Sequence, residues 1–325
     1  MKRRLFNALV IASLTVCGAS QAQQPSWPTR PITFVAPLAA GSPTDALARM
    51  VGDELGRRLG QPIVIDNKAG GGSLIATQYV QNARPDGYTF LFAVSAHTIN
   101  PAIRKQVKYD PIKDFTPIAL MAAVPHVLVV GKDVPAKNLA ELIAYGKANP
   151  GKLTYGSAGI GISNHMEGEL FASMAGINMV HVPYKNGSTA AMQDVLAGRV
   201  DMMFDVVGSS TPLIKAERVK PIGVALGRRS LLMPDIPTLA EAGLTGFEAM
   251  PWIGLFAPAG LDPAITEKMA KAVQDTLADK RVAERLGNYG TEAMYIAPTQ
   301  FVEFLKGDLQ KWVKIARDAK IQLDD

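Results

Sequence analysis

Apolar residues run along this chain in two alternating rhythms, short continuous stretches and longer stretches with three-and-four spacing, joined by segments of small residues. Residues 32–36 read as a strand. After a small-residue segment, Leu47, Met50, Val51, Leu55 and Leu59 recur at the spacing of one buried helical face. Ser42 suits the N-cap of that helix, Pro43 its first position, and Asp45 an acidic capping box. The unit repeats with a strand at 63–65, a glycine loop at 69–73, a helix to about 83, the turn Pro85-Asp86-Gly87 and a strand at 88–94. Alternation of strand and helix predicts parallel pairing with right-handed crossovers, hence a doubly wound α/β lobe.

A strand at 127–130 and a helix at 139–148 precede a restart of the same grammar. It gives a strand at 153–155, a small-residue loop at 156–165, a helix to about 175, a strand at 180–182, a helix at 190–197 and strands at 202–204 and 221–225. An extended run at 252–256 and amphipathic helices at 263–278 and 299–319 close the chain. A path that crosses near Pro125 and returns near Phe247 predicts lobe 1 from 23–126 plus 248–325, lobe 2 from 127–247, and a hinge of two crossings. No short-period repeat is present; what recurs is the strand, loop and helix unit.

The first 22 residues change the picture of where this happens. Lys2, Arg3 and Arg4, an apolar run over 5–16 and small residues at Ser20 and Ala22 have the layout of a secretory signal peptide. The run is shorter than the roughly 20 residues a bilayer-crossing helix needs. Cleavage after Ala22 would leave 303 of the 325 residues and lower Lys plus Arg from 34 to 31 against 29 acids, a net charge of +2. Such a balance, with basic residues scattered, gives no general hold on nucleic acid. Cys17, the single cysteine, lies within the signal, so the mature chain is expected to have no disulfide, thiol nucleophile or cysteine ligand. Val16 stands where lipoprotein signals favour a small residue, which argues for a soluble form. A 48% hydrophobic composition supplies the burial that two cores need.

Candidate chemistry concentrates in three strand-to-helix loops, 38–45, 70–73 and 156–165. Ligands of open α/β sheets sit at the carboxyl ends of strands, where helix N-termini favour anions. These loops hold no Lys or Arg, so a bound anion would be met by backbone N–H groups, by hydroxyls of Ser42, Thr44, Ser157 and Ser163, and by water. Glycine loops also serve simply to turn the chain tightly, the reading that suits Gly70 to Gly72 best. Asp45 either caps its own helix or receives a ligand ammonium or hydroxyl group. Of the four histidines, His165 and His181 could donate to a carboxylate or pack, while His97 and His126 read as structural or hinge residues. None lies in a metal pattern, no complete nucleotide-binding motif occurs, and Gly156-Ser157-Ala158-Gly159 is not a nucleophile elbow. The expectation is therefore a binding protein and not an enzyme, with no cofactor and no metal.

Motifs in order along the chain carry a resemblance. They are Trp27-Pro28-Thr29-Arg30-Pro31-Ile32, Ala40-Gly41-Ser42-Pro43-Thr44-Asp45, Asp66-Asn67-Lys68-Ala69-Gly70-Gly71-Gly72 and Pro85-Asp86-Gly87-Tyr88-Thr89. Next come His181-Val182-Pro183-Tyr184-Lys185, Asp201-Met202-Met203-Phe204-Asp205, the run from Pro234-Asp235-Ile236-Pro237-Thr238 to Gly243, and Trp252-Ile253-Gly254-Leu255-Phe256-Ala257-Pro258. The chain resembles the extracytoplasmic solute receptors of the tripartite tricarboxylate transporter system, the Bug receptors. The resemblance implies a two-lobed type II periplasmic-binding-protein fold with a doubly wound sheet in each lobe. It implies a small carboxylate held between the lobes, and membrane permease subunits as partners of a periplasmic, monomeric receptor. Carried onto this chain, the site comprises Leu38, Ala39, Ala40, Gly41, Ser42, Thr44 and Asp45 from the first loop, and Ser157, Ala158, Gly159, Gly161, Ser163 and His165 from the second. Ser95, His181, Tyr184 and Asp205 are the expected cleft neighbours. This chain departs from the family at Ser42-Pro43, where many members have a second glycine. Asp66 and Lys68 replace Glu and Arg, and Lys185-Asn186-Gly187 is one residue longer. A co-receptor for a two-component sensor kinase is the alternative reading, and an exported hydrolase a third.

Overall fold

The computed structural model describes residues 27–322 apart from 185, 186 and 319. The expected signal peptide, Cys17 and the Lys185-Asn186 departure lie outside the described residues. The chain opens with β1 (Ile32–Ala36), α1 (Pro43–Leu59), β2 (Ile63–Asn67), a 3-10 turn at Gly71–Ser73, α2 (Leu74–Gln81), β3 (Thr89–Val94), α3 (Ala96–Ile103) and β4 (Phe115–Ala123). It continues through β5 (His126–Gly131), α4 (Leu139–Ala148), β6 (Leu153–Ser157), α5 (Ser163–Ala175), β7 (Met179–Pro183), α6 (Ser188–Leu196), β8 (Met202–Val206), α7 (Val207–Lys215) and β9 (Val219–Val224). It closes with β10 (Trp252–Pro258), α8 (Pro263–Leu277), α9 (Lys280–Asn288), β11 (Glu292–Ile296) and α10 (Pro298–Asp318).

Among the described residues these strands form a six-stranded sheet, β11-β4-β10-β3-β1-β2, and a five-stranded sheet, β7-β6-β8-β5-β9. In each, a strand pairs in parallel with the next two in sequence: β1 with β2 and β3, and β6 with β7 and β8. In each, an antiparallel strand then joins, β10 on β3 and β5 on β8. The two sheets therefore repeat one topology, and the two-lobed α/β architecture expected from the residues is what the chain forms.

Alternation along single strands shows why both faces are covered. Leu128 and Val130 of β5 face the cluster with Tyr155, Phe171, Phe204 and Phe247, whereas Val127 and Val129 face Ala191, Val195 and Met203. In the first sheet Phe34, Phe90 and Phe92 pack on one side with Ile253 and Met269, and Val35 and Leu91 on the other with Trp252 and Phe256. Each such side chain contributes about 1.5–3 kcal/mol by leaving water.

The two sheets are tied together in more than one place. Phe301 and Leu305 of α10 enter the core of the first sheet, while Trp312 and Ile315, further along that helix, enter the second with Ile99 and Ile103 of α3. Glu292 on β11 accepts from Arg228, from Ser230 Oγ at 2.7 Å and from Leu231 N–H at 2.8 Å. Gly290 and Gly208 let two backbones touch: a Cβ on Gly290, whose φ is +71°, would lie 2.4 Å from Gly208 N.

Several elements differ from the sequence expectations for local reasons. α3 spans only eight residues, six of them buried, and carries Pro101 inside, a residue that disfavours a helix interior. Between the two closing helices that the periodicity predicts stand α9, with only Val282 and Leu286 buried, and the short strand β11. No helix among the described residues is long and apolar enough to cross a membrane.

Candidate functional site

At the carboxyl end of β1 the chain turns through Leu38, Ala39, Ala40 and Gly41 into α1. Ser42 is the N-cap, its Oγ accepting Asp45 N–H at 3.2 Å. The reciprocal half of the expected capping box is shifted by one residue: Asp45 Oδ2 accepts from Gly41 N–H at 2.9 Å. Asp45 is 4% exposed, and its other oxygen accepts from Asn67 Nδ2 at 2.9 Å while Arg49 closes on the carboxylate at 2.9 Å. Asn67, the last residue of β2, also donates to Leu38 O at 3.1 Å. Burial pushes the Asp45 carboxyl up, but Arg49, Gly41 N–H and Asn67 together hold it below its ordinary 3.8. Asp45 thus organises its own loop, while Ala39, Ala40 and Gly41 stay exposed and Ser42 and Thr44 partly so.

The loop after β6 has the same position in its sheet and a different set of supports. Ser157 Oγ lies 2.6 Å from His181 Nε2 and accepts Gly159 N–H at 3.1 Å. Asn164 Oδ1 accepts Ala158 N–H at 3.2 Å, and His165 Nδ1 accepts Gly161 N–H at 3.3 Å. His181 is sandwiched between Tyr155 and His165, with ring centroids 4.8 and 4.2 Å away. Burial, with the neighbouring His181, pushes His165 down to about 3, and burial pushes His181 down to about 4, so both are neutral near neutral pH. Ser163 opens α5 and remains partly exposed.

The two sides meet at this edge. A Cβ on Gly72 would lie 3.6 Å from Ile160 O, and one on Gly161 would lie 3.4 Å from Asn100 Oδ1 of α3. Asn100 in turn donates to Gly72 O at 2.7 Å. The 70–73 and 157–165 loops are thereby brought together across the gap between the sheets.

The remaining expected neighbours make the following bonds within the chain. Ser95 is buried, and its Oγ accepts Trp252 N–H at 2.7 Å, fastening β3 to β10. The Tyr184 hydroxyl donates to Asp194 on α6 at 2.5 Å, and its ring lies over Gly156. Asp205 accepts from Ser209 and Ser210, both at 2.7 Å. His97 stacks in the first core against Tyr109 and Phe256, and burial pushes it down to about 4. No group of three or more His, Cys, Asp or Glu that could hold a metal occurs among the described residues.

Sequence reasoning missed Arg49, Asn67, Asn164 and Asn100. Arg49 had a readable signal, the four-residue spacing from Asp45. Asn67 and Asn100 had none, because their partners lie at positions that only the folded chain brings near, whereas Asn164 supports Ala158 within its own loop.

The model of the tripartite tricarboxylate transporter family receptor matches residues 47–321. The chain belongs to this family. A relative from Pseudomonas sp. strain P51, described as the UPF0065 protein in the tcbD-tcbE intergenic region, is 36% identical over 316 residues, 97% of this chain and 93% of the other. Among solved structures, periplasmic binding protein BugD superposes with a TM-score of 0.80 at 34% identity, covering 91% of this chain and 99% of its own. R. palustris Rpa4515 with adipate superposes with a TM-score of 0.83 at 34% identity, again covering 91% and 99%. The family is one of substrate-binding receptors, not enzymes, and the chain is a solute-binding protein of that kind.

Proposed function

We propose that this protein is a periplasmic receptor that captures a small carboxylate between its lobes and delivers it to the permease subunits of a tripartite tricarboxylate-type transporter. The supporting observation is the paired loops. Both follow the strand that pairs in parallel with the next two of its sheet, β1 and β6, both lead into a helix start, and in both the polar side chains bond back into the loop itself. What such a loop can offer a ligand is mainly backbone N–H at the positive end of a helix, which suits a carboxylate. The adipate of Rpa4515, a protein of the same fold and family range, agrees with that chemistry. We place the ligand against the 38–45 and 157–165 loops, the lobe change at the two crossings near residues 125 and 247, and export under the N-terminal signal. The receptor acts as a monomer. Closure is a population shift, so the ligand must favour the closed form by contacts made to both loops.

Native mass spectrometry of protein purified without denaturation, followed by calorimetry of the stripped protein against a carboxylate panel headed by adipate, tests this. One carboxylate bound at one equivalent per chain is expected, and at 100 times its Kd it should stabilise the protein by about 2.7 kcal/mol. A panel in which no carboxylate binds or shifts melting overturns the reading. Deletion of the gene should abolish uptake of that carboxylate; a change in transcription alone would place the protein with a sensor kinase instead.

A further inference from the structure

Two buried titratable side chains, His126 and Glu167, are bonded to each other where the chain enters the second sheet. His126 opens β5; its carbonyl accepts Ala225 N–H at 2.9 Å from the residue that follows β9, and the Pro125 carbonyl beside it accepts Val207 N–H at 2.9 Å. Its Nδ1 stands 2.6 Å from Glu167 Oε2 on α5. Asp205 lies on the adjacent strand β8, in register with Val127. His126 is 5% exposed, Glu167 0% and Asp205 3%. Glu167 Oε1 is buried with no hydrogen-bond partner among the described residues, so the histidine is the one group bonded to that carboxylate.

A buried carboxylate such as Glu167, with one oxygen unpartnered, is costly unless a cation answers it. Burial opposes charge on His126, but Glu167 and Asp205 outweigh it and hold the imidazole above its ordinary value of 6.5. Glu167 from α5 and Asp205 from β8 are the charged groups that act on it. The neighbours from β9, the segment after it and α7 are Val224, Ala225 and Val207, all apolar. Glu167 sits one turn inside α5, directly behind Ser163 and Asn164, which end the second anion loop.

We propose that His126 and Glu167 are positioning residues: their buried imidazolium–carboxylate pair pins the start of α5, and with it the 157–165 loop, to the hinge, so that losing one proton loosens that loop. The proposal rests on this loop forming half of the carboxylate site, but its test needs no ligand, so the two can fail separately.

The test is hydrogen exchange of peptides covering 157–165 and 38–45 in the full protein, corrected for intrinsic rates, from about pH 6 to about pH 9. If opening frees the imidazole to its ordinary value, opening of the 157–165 segment should rise about tenfold per pH unit above about 6.5 until the buried proton is lost, with no such step in 38–45. His126→Gln should abolish the step, and Glu167→Gln should move it down in pH. A wild-type protein without the step, or a step unchanged in either variant, overturns the proposal. Should the variants not fold, nitrogen-15 NMR of the wild-type His126 ring decides: both ring nitrogens protonated at about pH 7 supports the pair, and a neutral ring there overturns it.

Discussion

The two anion loops occupy equivalent places in their sheets and reach the same end by opposite electrostatics. In the first, a buried carboxylate, Asp45, gathers Gly41 N–H, Asn67 and the Arg49 guanidinium. In the second the same holding work falls to neutral groups, Ser157, Asn164 and two histidines that burial keeps unprotonated. The Asp45–Arg49 pair is self-compensating, so neither loop presents a strong net charge to a ligand, and each leaves its helix start as the attractive element. The difference lies in what undoes them. One fails when a carboxylate is protonated or removed, the other when an imidazole gains a proton.

Acid should therefore separate them, with the largest effect of any perturbation here. A histidine whose folded pKa is depressed binds fewer protons than the unfolded chain, so its stabilisation is lost as pH falls from about 6.5 toward the folded values near 4 for His181 and near 3 for His165. The two together should remove on the order of 3 kcal/mol by about pH 5, read from denaturant midpoints across a pH series. His97, also held near 4, adds to the global loss from the first core without touching either loop. Asp45 runs the other way: its pKa is lowered from 3.8, so its contribution persists until pH falls through that lower value. Exchange in the 38–45 peptide should stay slow at pH values where 157–165 has already loosened; simultaneous release would dissolve the distinction.

Removing the carboxylate chemically comes next. Asp45→Ala takes the acceptor from Gly41 N–H and one of two acceptors each from Asn67 and Arg49, which keep Leu38 O and Asn67 Oδ1. Since the Arg49 side chain is 50% exposed and can rehydrate, the expected cost is about 2–3 kcal/mol, below that of a fully buried pair. Asp45→Asn keeps an acceptor and should lose about half as much. Equal losses in the two variants would mean that charge contributes nothing to the loop.

A single methyl group sharpens the contrast from the other side. A Cβ at Gly168 would fall 2.2 Å from Tyr155 Cε2, the ring on which His181 stacks, so Gly168→Ala should cost about 2 kcal/mol and disturb the neutral loop. Gly41→Ala has open space around the new atom and only its φ of +80° to contend with, an expected cost of about 1 kcal/mol. Thermal and denaturant unfolding of the two variants compares them directly.

What was readable in the chain follows the range of each interaction. The β1 loop and α1 were legible because Leu47, Met50, Val51 and Leu55 repeat on one face and Ser42 caps within three residues. The second lobe was legible because it repeats that unit. α3 was hidden because it is only eight residues long and contains Pro101, which argues against a helix interior. Within the site, Asp45 could be read as a cap but not as a hub, because Asn67 reaches it from 22 positions away. Ser95 and Tyr184 were named from the family resemblance; the bonds their hydroxyls make, with Trp252 and Asp194, were not legible, because sheet pairing and helix packing set those partners rather than local sequence.

Modest effects, the smallest of them at Ser42, should come from the serines that stand at the two loops. Ser42→Ala removes a cap at a partly exposed helix start, where water can replace the hydroxyl, and should cost about 0.5–1 kcal/mol. Ser157→Ala removes two bonds at once in a site that is 0% exposed, stranding His181 Nε2 and Gly159 N–H, and should cost about 1.5 kcal/mol. The second variant carries a further signature. With the hydroxyl donating to Nε2 the bond favours the neutral ring, so in that tautomer the acid loss of stability in Ser157→Ala should begin at a higher pH than in the wild type, whereas Ser42→Ala should leave that profile where it was. If the two serine variants instead shift the profile equally, the second loop is not held by its neutral histidines, and the contrast between the loops rests on Asp45 alone.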